Sequence, residues 1–302
     1  MNRSPLVAIA LSLLLVPGFL IAQSSDSASW TFSAVNEYRI VPNVIYSVAN
    51  GFECKLDVYA RQNPAGPTPT VMHIHGGGWV TGTKEASVTS ILPYLEMGLS
   101  VVMVEYRLAR VSLAPAAVQD CRMALRWIFA HAKEYGFDTS KVIVTGGSAG
   151  GHLALMTGML DASAGFDIPS GWDDATVQPR AAAIINWYGI TDVKDILSGS
   201  NRKNYAVSWI GDQNDKEGVA RRASPLTYVR KDLPPIFTVH GDNDNLVPYQ
   251  QAVTLHRKLA EAGVPNELVT VPGGRHGGFS KVDMARIFSE IRKFLRTHKI
   301  VE

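Results

Sequence analysis

Cysteine is almost missing from this chain: Cys54 and Cys121 are the only two in 302 residues. That excludes a disulfide-stapled scaffold and every cysteine-rich zinc site. The pair could form one bridge, but cysteine is among the most buried residue types, so both read first as buried thiols. An excess of charge of one sign is missing too. The 29 Lys plus Arg against 27 Asp plus Glu leave a net charge of +2 with no basic block or stripe, which argues against a nucleic-acid partner. Charged residues make up only 19% and hydrophobic residues 46%, so the chain can bury a large core and is not a disordered one. Neither an internal repeat nor a low-complexity tract is present. The phosphate-binding patterns G-x-G-x-x-G and G-x-x-x-x-G-K-[ST] do not occur. At about 150 residues per domain the length suits two domains, though α/β folds often run longer as one.

One long uncharged apolar run exists, residues 6–22 (LVAIALSLLLVPGFLIA), after a positive start at Arg3. Pro17 and Gly18 break it near its end, and Ala22 precedes the polar stretch 23–29. This is the layout of a secretory signal peptide. The competing reading is an uncleaved anchor, because 17 apolar residues sit at the lower edge of spanning length. Residues 1–22 are therefore expected to be a signal peptide and 23–37 an N-terminal segment ahead of a folded domain over 38–298. The mature protein is expected to be secreted or periplasmic, with no stable membrane insertion after cleavage.

From about Tyr38 apolar strands alternate with amphipathic helices. Buried strands are predicted at 71–74, 99–104, 141–145, 181–187, 235–239 and 268–271, and edge antiparallel strands at 39–46 and 52–59. Val118, Cys121, Leu125, Ile128, Ala132 and Tyr135 recur at helical spacing after Pro115. A second helix starts at Pro248 and ends at Gly263, and a last one carries Met284, Ile287, Phe288, Ile291 and Leu295 on one face. Strands alternating with helices predict an α/β fold, a mostly parallel central sheet of about eight strands with helices on both faces. The stretch 189–232 looks irregular and is a candidate partial lid or insertion.

Gly146-Gly147-Ser148-Ala149-Gly150 matches G-x-S-x-G between a buried strand and a helix, where a nucleophile elbow has to lie. The turn strains the serine backbone, so glycines must flank it, and it sets the Ala149 N–H beside Oγ at a helix N-terminus. Serine needs a base, and the base an orienting acid, expected in the order Ser, Asp, His after successive later strands. After the strand at 235–239, His240-Gly241-Asp242-Asn243-Asp244 offers two acids. After the strand at 268–271, His276 stands among glycines with no packing task. A calcium loop at the Asp-rich run lacks the needed Gly and distal Glu. His75-Gly76-Gly77-Gly78-Trp79 follows the strand at 71–74 and presents bare backbone N–H groups suited to a developing oxyanion. His73 and His75 form H-x-H but have no third ligand nearby, so no metal is expected.

These residues resemble those of the α/β-hydrolase esterases, in particular the hormone-sensitive-lipase-like group and the feruloyl-esterase-like (BD-FAE) branch. The likeness rests on HGGGW at 75–79, EYRLA at 105–109, APAAVQDCRMALRWI at 114–128, TGGSAGGHLA at 145–154, NWYGITD at 186–192, HGDNDNLVP at 240–248 and RHGGF at 275–279. It implies the α/β-hydrolase fold, with Ser148 as nucleophile, Asp244 as acid and His276 as base. Gly77, Gly78 and Ala149 would form the oxyanion hole, and no cofactor is implied. Arg275 departs from the family pattern, which has a small residue directly before the histidine. Trp79, Tyr188 and Trp209 are candidate pocket walls, with buried aromatic packing as the alternative for each. The expected activity is exported serine carboxylesterase, acting through an acyl-enzyme on short-acyl or hydroxycinnamoyl esters. Its partner would be a small ester or an esterified polysaccharide fragment. An amidase or peptidase of the oligopeptidase or arylformamidase kind shares the triad, and a catalytically silent binding protein shares the scaffold.

Overall fold

The computed structural model describes residues 36–171 and 178–302. The reading of residues 1–22 as an export signal falls outside them. Eight strands form one sheet: β1 (Tyr38–Ala49), β2 (Phe52–Arg61), β3 (Thr68–Ile74), β4 (Ser100–Val104), β5 (Phe137–Gly147), β6 (Ala183–Trp187), β7 (Ile236–Gly241) and β8 (Asn266–Val271). Their order across the sheet is β1-β2-β4-β3-β5-β6-β7-β8. The β1–β2 and β2–β4 pairs are antiparallel and all others parallel, so the antiparallel strands sit at one edge, as the sequence predicts.

Helices cover both faces. Helices α1 (Leu92–Glu96) and α8 (Lys281–Thr297) pack on one, where Tyr94, Ile287, Ile291 and Leu295 meet Val71, Val101, Ile143, Ile185 and Phe237. The other face takes α2 (Ala116–Ala130), α4 (Ala149–Met159) and α7 (Tyr249–Glu261), whose Leu125, Leu153 and Leu255 cover Val58, Met72, Val102 and Val144. The helix predicted after Pro115 breaks at His131 and resumes as the single turn α3 (Ala132–Tyr135), stopped by left-handed Gly136. Cys54 and Cys121 are buried and unbonded, and burial pushes the Cys54 thiol up to about 12.

Two buried ion pairs act as braces. The Arg107 guanidinium forms a bidentate pair with Asp120, with Nη2–Oδ1 at 2.7 Å, and ties the turn after β4 to α2. Asp57 holds the buried Lys84 ammonium at 3.0 Å, fixing the segment after the HGGGW turn to β2. Residues 189–232 are not structureless. They contain α5 (Asn204–Ile210) and α6 (Lys216–Arg222) between short 3-10 turns. No described helix is long and apolar enough to cross a membrane.

Candidate active site

The strand ends that build the site lie side by side. Ile74 pairs with Gly146, Gly146 with Asn186, Trp187 with Val239, and Gly241 with Val271. The loops after β3, β5, β6, β7 and β8 therefore emerge along one edge, the carboxyl edge where open α/β sheets hold ligands.

Ser148 stands between β5 and α4 at φ 59°, ψ −121°, a strained backbone for a residue with a side chain. Its N–H donates to the Trp187 carbonyl at 2.9 Å, so β6 holds the turn in place. The turn is tight enough that a Cβ at Gly150 would collide with the Ile74 carbonyl, which is why glycine is required there. His276 follows β8, and its Nε2 lies 2.8 Å from Ser148 Oγ while its Nδ1 lies 2.7 Å from Asp244 Oδ2. An ionised carboxylate only accepts, so Nδ1 carries the proton and Nε2 is the free lone pair facing the serine hydroxyl.

The Asp244 side chain is fully buried. Burial pushes its carboxyl up, but hydrogen bonds from His240, His276 and the Val247 N–H outweigh burial and hold it well below the usual carboxylate range. Its Oδ1 also accepts from Leu246 N–H at 2.8 Å and Val247 N–H at 3.0 Å. His240 Nε2 lies 3.2 Å from Oδ2, a partner that the sequence motif contains but that residue patterning alone did not single out. Asp242, the other acid of the run, is exposed, and its Oδ1 accepts from the Gly273 N–H at 2.6 Å. It fastens the acid loop to the histidine loop and lies outside the Ser–His–Asp array.

Gly77 and Gly78 turn at φ 114° and 60° and line the cavity beside Ser148. Their N–H groups have no hydrogen-bond partner among the described residues, and Ala149 opens α4 with the unpaired N–H of a first turn. A Cβ at Gly77 would collide with the Thr81 carbonyl.

The cavity holds about 760 Å³. Tyr188 lines it, as the sequence suggests, with its ring 4.7 Å from that of His276. Trp79 and Trp209 do not, and the expectation that they are pocket walls is corrected. Both are fully buried and stack on each other at 4.1 Å. Trp79 has φ 61°, which turns its indole inward, where Nε1 donates to His152 Nδ1 at 3.2 Å. The walls include instead Tyr205 on α5, Tyr94 on α1, and Met284 and Phe288 on α8, with Phe279 and Leu246 from the loops. Aromatic residues in loops carry no periodicity to tell a wall from a core plug, whereas Phe288 and Met284 lie on the predicted apolar face of α8. Arg275 is exposed and does not line the cavity. Among the described residues no group of three His, Cys, Asp or Glu side chains is placed to hold a metal ion.

A mostly parallel eight-stranded sheet with a serine elbow, and a histidine and an aspartate on successive later loops, defines the α/β-hydrolase fold. Residues 56–259 match the BD-FAE family, and the chain belongs to it. It is 32% identical over 206 residues to a probable carboxylic ester hydrolase, LipM, of Mycobacterium tuberculosis, covering 65% of this chain and 46% of that protein. It is 28% identical over 242 residues to the esterase LipC of the same organism, covering 76% and 58%. The chain thus spans about half the length of the curated relatives it matches. Among solved structures it resembles a truncated carbohydrate esterase from gut microbiota, with a TM-score of 0.71, 27% identity, and 84% and 96% of the two chains covered. It also resembles Thermogutta terrifontis esterase 2 phosphoramylated by tabun, with a TM-score of 0.73, 26% identity, and 88% and 96% covered.

Proposed function

We propose that this protein is an exported serine carboxylesterase that works through an acyl-enzyme, with Ser148 as nucleophile, His276 as general base and acid, and Asp244 as the orienting acid. One observation carries the reading: His276 bridges Ser148 Oγ and Asp244 Oδ2 at 2.8 and 2.7 Å, beside a cavity that Ser148, His276, Gly77 and Gly78 line. Ser148 Oγ attacks the ester carbonyl while His276 Nε2 takes its proton. The oxyanion that forms is met by the N–H groups of Gly77, Gly78 and Ala149, and Asp244 stabilises the transient imidazolium. As the tetrahedral adduct collapses, Nε2 returns the proton to the departing alkoxide. Water then repeats the sequence on the acyl-enzyme and regenerates the hydroxyl.

Small, uncharged esters suit the cavity, which no Asp, Glu, Lys or Arg side chain of the described residues lines. Its aromatic walls and the likeness to a carbohydrate esterase favour short-acyl or hydroxycinnamoyl esters, including those on polysaccharide fragments. Export rests on the sequence of residues 1–22.

A fluorophosphonate probe and a matched ester and anilide test the reading together. The expected result is one covalent label, lost in Ser148→Ala, with turnover of 4-nitrophenyl acetate and little of the anilide. No label and no ester turnover by pure protein overturns the enzyme reading, and faster anilide hydrolysis reassigns it to an amidase.

A further inference from the structure

His73 is a polar residue in the core that the proposed chemistry does not use. It lies one position before the end of β3, paired with Met103 on β4 and Thr145 on β5, and is only 7% exposed. Side chains two apart on a strand share a face, so His73 points with Val71 to the α1/α8 side. Its Nδ1 is enclosed without a hydrogen-bond partner, its Nε2 has none among the described residues and is the nitrogen left to meet the cavity, which the residue lines. A neutral imidazole offers one donor and one acceptor, and buried polar groups are otherwise almost always paired. A group aimed into a substrate cavity with its hydrogen bonding unspent is placed for a ligand.

The neighbouring walls say what kind. Tyr94, Trp187, Met284 and Phe288 face the same compartment, with Phe288 5.7 Å from the Tyr94 ring and 5.4 Å from the Trp187 ring. Tyr94 Oη is 3.4 Å from Thr145 Oγ1, whose own hydrogen goes to the Ile185 carbonyl at 2.9 Å. Tyr94 therefore donates to Thr145, and its oxygen accepts from the Trp187 indole N–H. Among the described residues no charged side chain lines the compartment to balance an ion, and an alkyl chain would leave His73 unpaired. Thr145, the strand partner of His73, precedes Ser148 by three residues, an extended reach of up to about 10 Å. An aryl-bearing group is long enough to span that reach.

We propose that His73 is a specificity-determining residue that hydrogen-bonds a hydroxyl carried on an aromatic part of the ester substrate, on the α1/α8 side of the cavity. This rests on the serine-esterase reading and deepens it.

The test uses two matched pairs differing by one hydroxyl. Methyl cinnamate and methyl 4-hydroxycinnamate probe the acyl side; 2-phenylethyl acetate and 2-(4-hydroxyphenyl)ethyl acetate probe the alcohol side. The wild type is expected to prefer the phenol in kcat/KM by about tenfold or more in one pair, about 1.4 kcal/mol. His73→Phe, which keeps the volume and removes both hydrogen-bonding atoms, should bring that ratio near one, and His73→Gln should retain part of it. The ratio is internal, so a general loss of activity cancels. Either variant suffices if the other does not fold. A wild-type ratio near one in both pairs, or a ratio unchanged by the variants, overturns the proposal. So does turnover of 4-nitrophenyl acetate with none of either pair. If no ester at all is hydrolysed, the esterase reading itself fails and takes this inference with it.

Discussion

At the scale of single residues the site separates groups that look alike in sequence. Asp242 and Asp244 stand two apart, yet one is exposed and fastens a loop while the other is buried beneath four donors. Asp244→Asn would place an amide NH₂ among those donors and remove the charge that stabilises the imidazolium. By analogy with serine proteases, kcat is expected to fall about 10⁴-fold. Asp242→Asn keeps an oxygen for the Gly273 N–H and should stay within a few-fold of wild type. Steady-state kinetics on both decides, and a larger loss at Asp242 would reverse the assignment. Ser148→Ala removes the attacking oxygen, and loss of about 10⁶ in kcat with an unchanged melting temperature is expected. If appreciable turnover survived in Ser148→Ala protein that no longer takes the probe, another nucleophile would be at work.

At the scale of elements the oxyanion turn is held from behind. Trp79, at the end of the HGGGW turn, is clamped between Trp209 of α5 and His152 of α4, and His152 in turn donates from Nε2 to the Ala223 carbonyl at 2.6 Å. Tyr205 of α5 faces the cavity beside Gly78, and its hydroxyl donates to the Leu246 carbonyl on the acid loop at 3.1 Å. One short helix thus touches both the oxyanion turn and the acid loop. Trp209→Ala should cost about 3–5 kcal/mol in stability, read by denaturant titration, because it opens a cavity in the core. It should lower kcat through displacement of Gly77 and Gly78. A change confined to KM, with stability unaltered, would return Trp209 to the pocket wall. The long helices and buried strands were legible because their apolar residues repeat at 3.6 or run without interruption, as at Val118, Cys121 and Leu125. Helices α5 and α6, at seven residues each, are too short to show a period. Ser148 and His276 were legible as candidates because glycines surround both, whereas the choice of Asp244 over Asp242 came only from the family resemblance. The inward turn of Trp79 was not, since it depends on one backbone angle.

Across the whole molecule, His73, His152 and His256 share a property that couples stability to pH. Burial lowers each to about 4; the nearby His75 adds to the shift at His73, and a hydrogen bond to the Ala223 carbonyl or to Asn266 opposes it at the other two. At His152 the acceptor nitrogen is taken by the Trp79 N–H, so a proton there would face a donor. The unfolded chain binds these protons near pH 6.5 and the folded chain only near 4, so between those values the unfolded state holds more protons. Stability therefore falls as pH drops from 6.5 to 4, by about 1.4 kcal/mol per pH unit for each histidine in mid-window. Asp244 and Glu85, both held low, lose their contribution only as pH falls below the ordinary carboxylate value, and Glu105, raised by burial, opposes the trend with a single group. Against a total stability of about 5–15 kcal/mol for a folded protein, three such groups are enough to matter. Thermal melts at pH 7, 5.5 and 4.5 should show the melting temperature falling steeply below 6.5. His256→Leu removes one titrating group and should make that slope measurably shallower, with His75, also lowered by burial, still contributing. Its absolute stability can shift either way, because Asn266 Oδ1 loses its 2.8 Å contact, so the slope is the readout. A flat profile from pH 7 to 4.5, or a variant with the wild-type slope, would show that these buried rings do not set the acid limit of the fold.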